Sequence, residues 1–178
     1  MPWANGRGTS YAVARAGGDE WLWRIAIAPV IEAGPFSVMP GVDRHLVVME
    51  DAPLVLTVDG TERVVRRGEV TNFAGDSAVT CTLPSGATRD CGLMARRGHA
   101  RGSMVVVSAG AVASGRVFIA ISKAAFDADV PQGSSTEDAF ADQNSLAGTL
   151  DVGDALIADR STLVEFHTGV VCAIEVAP

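Results

Sequence analysis

The chain is poor in the residues that most catalytic and metal chemistry is built from. Its 178 residues include three cysteines, Cys81, Cys91 and Cys172. None stands in a C-x-x-C pair, which argues against a cysteine zinc site or a disulfide framework; reduced thiols in a cytoplasmic protein are the simplest reading. The three histidines, His45, His99 and His167, lie far apart, whereas divalent metal sites usually show a close pair, so no metal and no cofactor is expected. No apolar run approaches the ~20 residues of a membrane span. Met1-Pro2-Trp3-Ala4-Asn5 lacks the basic stretch and apolar core of a signal peptide. There is no G-x-S-x-G elbow and no phosphate-cradling P-loop. Basic residues are also scarce, 14 Lys and Arg against 21 Asp and Glu, for a net charge of -7. An acidic chain gains nothing from a phosphate backbone, which argues against nucleic acid as a partner.

What is abundant is hydrophobic residues, at 48%, and glycine, at 19. Short Val- and Ala-rich runs punctuated by turn residues every eight to twelve positions predict strands in a sandwich or barrel. Strands are expected over 21–28, 45–49, 54–58, 61–65, 70–73, 78–83, 93–96, 104–108, 116–122, 155–158, 162–167 and 170–176. Asp59-Gly60 between two β-branched runs predicts a hairpin. In the first strand, alternation places Trp21, Trp23, Ile25 and Ile27 on one face and Arg24, Ala26 and Ala28 on the other. Ser134, three residues before Glu137, offers a capping box for a short helix ending at Asn144; an acidic surface loop is the alternative.

A faint repeat lays Val65-Arg66-Arg67-Gly68-Glu69-Val70 on Leu150-Asp151-Val152-Gly153-Asp154-Ala155. In both copies a glycine would permit a tight turn, and the carboxylate after it could accept a backbone N–H. Duplicated β-units follow. A first half, 1–98, and a second half, 99–178, would pack as one globular unit.

Charge is unevenly placed. Between Lys123 and Arg160 there is no basic residue, whereas most arginines lie in the first hundred positions. A site for a small anion therefore belongs in that first part. Arg24 in a Trp-rich strand, Arg44 before a buried run, and Arg96 and Arg97 after Leu93-Met94 are the candidates. A buried guanidinium needs an anion, either an internal one such as Asp43, Asp76 or Asp90, or a ligand carboxylate or phosphate that its fork can grip. Cys81 reads as core, and Cys91 as a thiol at a turn beside Asp90.

Several of these residues form a larger pattern. Trp3-x-Asn5-Gly6-x-Gly8, Trp23-Arg24-Ile25-x-x-Ala28, Gly34-Pro35-Phe36-Ser37-x-x-Pro40-Gly41-x-Asp43-Arg44, Phe73-x-Gly75-Asp76 and Asp90-x-x-x-Met94-x-Arg96-Arg97-Gly98 together resemble the HutD/Ves family. The resemblance covers the first hundred residues. It implies an all-β, cupin-like (RmlC-type) double β-barrel of two fused units. It also implies a protein without an established reaction, thought to regulate histidine utilisation, for which a formylated glutamate has been proposed as ligand. The family's shared polar positions fall here on Trp3, Asn5, Arg24, Ser37, Arg44, Asp90 and Arg96. Three positions depart from the pattern: Ala4 stands for a frequent Lys, Ala12 for a frequent Glu, and Gly92 for an Asn.

The expectation is a cytoplasmic, non-enzymatic binder of a small carboxylate or acyl-amino acid, with no membrane partner and with homodimerisation left open. The alternatives are a metal-independent cupin enzyme of isomerase or epimerase type with His45 as base, and an interaction module using the acidic segment 127–142.

Overall fold

The computed structural model describes residues 8–18, 20–129 and 145–177. Trp3, Asn5 and the helix expected before Asn144 lie outside the described residues. Every regular element among the described residues is a strand. The chain divides into two compact units, Met1–Val106 with Val176–Pro178, and Val107–Glu175.

The first unit holds β1 (Tyr11–Ala16), β2 (Trp23–Val30), β3 (Gly34–Pro35), β4 (Val42–Val48), β5 (Leu54–Val58), β6 (Thr61–Val65), β7 (Val70–Ala74), β8 (Val79–Thr82), β9 (Thr88–Arg96) and most of β10 (Arg101–Ser108). Two antiparallel sheets carry its core, one in the order β1-β2-β9-β4-β7 and the other β3-β8-β5-β6. Val30, Leu46, Val48 and Phe73 of the first sheet meet Leu54, Leu56, Val58, Val65, Val79 and Cys81 of the second in one buried cluster. Each fully buried side chain of this size contributes roughly 1.5–3 kcal/mol. Asp59-Gly60 closes the β5–β6 hairpin as expected. Asp59 has φ 48°, and its Oδ1 accepts the Ala78 N–H at 2.9 Å.

The second unit holds β11 (Ala111–Ala120), β12 (Ala124–Asp129), β13 (Ser145–Leu150), β14 (Ala155–Thr168) and most of β15 (Val170–Ala177). Its strands follow the order β15-β11-β14-β12-β13. Phe166 is the centre of the core, with Phe118 at 5.7 Å and Phe126 at 6.3 Å between ring centroids.

The repeat read in the sequence is a shared corner. Before β7, Arg66 N donates to Glu69 Oε2 at 2.8 Å and Glu69 N to Arg66 O at 2.9 Å. Before β14, Asp151 N donates to Asp154 Oδ2 at 3.0 Å and Asp154 N to Asp151 O at 2.9 Å. Gly68 and Gly153 have φ 74° and 90°, a region that costs any other L-residue roughly 1–2 kcal/mol. Each glycine N–H also bonds a strand carbonyl, Gly68 to Val48 at 2.8 Å and Gly153 to Ala120 at 2.9 Å. This makes β4 and β11 counterparts in the two units.

Several strand boundaries differ from expectation, three of them for a clear local reason. The first long strand starts at Trp23, not Trp21, because Leu22 N turns back to Ala16 O at 2.7 Å. The strand expected from Leu93 begins at Thr88, so Asp90 and Cys91 lie in β9 rather than at a turn. β14 continues through Asp159-Arg160-Ser161, where polarity suggested a break, because it pairs with β11 on both sides of a register shift between Gly115 and Val117. Strands β1, β12 and β13 were not expected: alanine makes up half of β1 and half of β12, and β13 contains Gly148, residues that do not favour strands.

The corner geometry makes a quantitative expectation. Glu69→Ala and Asp154→Ala should each lower unfolding free energy by about 0.5–1.5 kcal/mol, the net contribution of one such hydrogen bond. Urea denaturation followed by circular dichroism measures this; two unchanged midpoints would refute the role of the carboxylates.

Candidate functional site

Strand β9 is hydrogen-bonded to β2 on one side and β4 on the other, and the two registers set residues of all three strands in rows. Arg24, Met94 and Arg44 form one row, Ala26, Gly92 and Leu46 the next, and Ala28, Asp90 and Val48 the third. Alternation puts all nine side chains on one face. The middle row is short because two of its members are alanine and glycine, and a depression results between the row with two arginines and the row with Asp90. The segment after β3 supplies Phe36, Ser37 and Met39 as a further wall, and Ser10 adds another polar group. Together these residues line a hollow of about 70 Å³, room for several waters or a small ligand group.

The cations of this hollow are in direct contact with no carboxylate among the described residues. Arg44 donates from Nη1 to the Ser37 carbonyl at 3.2 Å, and its Cζ lies 5.2 Å from the Phe36 ring centroid and 5.0 Å from that of Phe73. Desolvation by burial lowers its pKa, Asp90 opposes this, and Arg24 adds to it. Arg24 donates from Nε to Met94 Sδ at 3.1 Å, and its Cζ lies 5.0 Å from the Trp21 ring centroid. Burial lowers its pKa as well. Among the described residues, neither guanidinium forms a salt bridge with a carboxylate.

Asp90 is the acid of the hollow. It is 6% exposed, and burial pushes its carboxyl up to about 7, against the opposing pull of Arg44. Register explains why Arg44 and Asp90 do not close on each other. Arg44 faces Met94, four residues along β9 from Asp90, so a full row of side chains stands between them. Successive rows on one face are roughly 6.6 Å apart.

Other expectations resolve differently. Trp21 does not face away from Arg24; it precedes β2, escapes the strand alternation, and stacks with Arg24 on one side. Arg96 also approaches the Trp21 ring, at 5.3 Å, but it does not line the hollow. Asp43 and Asp76 are taken by Arg97, whose Nη2 lies 2.9 Å from Asp43 and 3.1 Å from Asp76. The Gly41 N–H first, then Arg97, hold the Asp76 carboxyl below its ordinary range. These motif residues thus clamp the loop before β4 to the turn after β9. His45 shares the hollow's wall, but alternation along β4 turns its ring to the opposite face, where Nδ1 lies 2.9 Å from Asn72 Oδ1. All three cysteines are buried and none is in a disulfide, and burial pushes Cys172 up to about 12. Among the described residues no cluster of three or more His, Cys, Asp or Glu is placed to hold a metal, and no helix is long and apolar enough to cross a membrane.

Sequence reasoning missed the contribution of Ala26, Ala28, Met39 and Met94 to this site. Small and apolar residues carry no chemical signal of their own, and only the register shows that they shape the space between charged groups.

The family model of HutD matches residues 1–171. The chain belongs to the HutD family. An uncharacterized 21.2 kDa protein in the hutC 3′ region of Pseudomonas putida is 37% identical over 98 residues, 53% of this chain and 52% of that protein. Protein Ves of Citrobacter koseri is 31% identical over 108 residues, 58% of this chain and 56% of that protein. The match thus spans about half the length of these curated relatives. The solved structure of HutD from Pseudomonas fluorescens SBW25 superposes with a TM-score of 0.77 at 25% identity, covering 99% of this chain and 92% of that one. A cupin 2 conserved barrel domain protein from Leptotrichia buccalis superposes at 0.58 with 8% identity, covering 99% and 91%. The fold of this HutD-family chain is accordingly all-β and cupin-like.

A buried carboxyl raised to about 7 has a consequence for stability. Its unfolded-state value is near 3.9, so the folded protein binds more protons between those values. The contribution of Asp90 to stability is therefore greatest at and below about pH 4 and is lost as pH rises through 7, by an amount on the order of 4 kcal/mol at 1.36 kcal/mol per pKa unit. Asp90→Asn should remove this slope and be the more stable protein at pH 8, measured by urea denaturation at pH 5 and pH 8. Parallel pH profiles for the two proteins would refute the assignment.

Proposed function

We propose that this protein binds a small carboxylate or acyl-amino acid in the hollow between β2, β9 and β4, and acts as a non-enzymatic regulator within histidine utilisation. The reading rests on one observation above the rest: Arg24 and Arg44 line the same small space, both are desolvated, and neither has a carboxylate partner among the described residues. A partly desolvated guanidinium without a carboxylate partner is costly, and an incoming carboxylate relieves that cost at both arginines with charge-assisted hydrogen bonds. The Ser37 and Ser10 segments stand beside the cations, and Met39, Met94 and Phe36 offer apolar contact to the rest of a ligand.

Two relatives support the physiological side. One is described by its position in the hutC 3′ region, the other as HutD. The alternative with His45 as catalytic base belongs to a different place, because its ring meets Asn72 on the opposite face of β4, where it borders a second hollow with Asp43, Asn72 and Arg101.

Thermal denaturation with a panel of succinate, glutarate, N-acetylglycine and N-acetylglutamate tests the reading. A binder at 100 times its Kd should add about 2.7 kcal/mol of stability. Arg24→Met and Arg44→Met should abolish the gain, and so should Gly92→Leu, which keeps both cations and fills the space between them. Failure of every acid to shift the wild type, or an undiminished shift in all three variants, would rule it out.

A further inference from the structure

We infer that Asp90 serves the hollow as a neutral hydrogen-bond donor, so that a bound anion takes up one proton with it and must present an oxygen acceptor within reach of both the arginine row and Asp90. This inference deepens the binding reading above and rests on it.

The geometry carries the argument. Asp90 is almost wholly buried, yet it lines the hollow. Among the described residues no hydrogen bond and no salt bridge reaches its side chain. Its flanking positions in the row, Ala28 and Val48, are apolar, so the open space is the direction in which its oxygens can find a partner. The ionisable and charged groups around that space are Arg24 on β2, Arg44 on β4 and, through its wall rather than its ring, His45. Arg44 is the charge that acts on Asp90, and a full side-chain row keeps the two from pairing.

An anion entering the gap changes that balance in one direction. It takes the guanidinium hydrogen bonds for itself, and it brings negative charge next to the Asp90 carboxyl. Both effects favour the protonated acid. A protonated carboxyl holds one O–H donor, and an O–H···O⁻ bond to the ligand is of the short, charge-assisted kind. Burial of Asp90 in the unliganded protein already favours this protonated form. A ligand oxygen is then held by two cations on one side and an acid O–H on the other. An ionised Asp90 would instead repel it.

Calorimetric titration of the full chain with N-acetylglutamate, whose carboxyls stay ionised from pH 6 to pH 8.5, tests this in two buffers of different ionisation enthalpy. Proton uptake should be small at pH 6 and approach one per ligand at pH 8.5. Affinity should weaken towards tenfold per pH unit above about 7. Asp90→Asn, which keeps a donor but cannot titrate, should show no uptake and a flat profile; the buffer dependence of the wild type stands as the test even if that variant does not fold. Tight binding with no buffer dependence at any pH, or uptake that persists in Asp90→Asn, would overturn the inference and leave the binding site intact. No binding by any acid of the panel at pH 6 would overturn both.

Discussion

The functional reading depends on the register of one strand. β9 is paired across its whole length with β2 and β4, and this decides which residues share a row and which are kept a row apart. A slip of one residue would turn Asp90, Gly92 and Met94 to the other face. The observed register sets two guanidiniums in the same row, a floor of alanine and glycine beside them, and an acid just too far away to neutralise them. Hydrophobic burial of Leu46, Val48, Val30 and their partners on the facing sheet holds that register, because only one alternation puts these residues inside.

The two units show what the same corner can support. Glu69 and Asp154 close identical turns, and β4 and β11 receive the same glycine N–H. The interiors then diverge. In the second unit three phenylalanines fill the core around Phe166. In the first, the face of β2, β9 and β4 carries charge and small side chains, and a hollow is left. The ion pairs of Arg97 with Asp43 and Asp76 then tie the loop before β4 in place, so that Phe36, Ser37 and Met39 reach the arginines from a fixed direction.

The family motif is therefore of two kinds. Gly41, Asp43, Asp76 and Arg97 hold the backbone of a corner. Arg24, Ser37, Arg44 and Asp90 converge on the hollow. Arg96 belongs to neither group: it stacks near Trp21, on the outer side of the Arg24 row. In sequence all of these look alike, as polar residues in Gly- and Pro-rich surroundings.

The sequence by itself determined the all-β class, the Asp59-Gly60 hairpin and the paired corners, because each follows from local chemistry: β-branched runs, residues tolerant of positive φ, and a carboxylate three positions from the N–H it accepts. It also determined that most cations lie in the first half, whereas acids are spread through both. Which cations remain without a partner was decided only by tertiary structure. Asp43, Asp76 and Asp90 were equally plausible partners for Arg44 in sequence, and the choice among them turns on distances between strands far apart in the chain. The start of β2 at Trp23, the burial of Asp90 and Cys91 inside β9, and the turning of His45 away from the hollow were decided in the same way, by pairings with β1, β4 and β7 that no local pattern encodes.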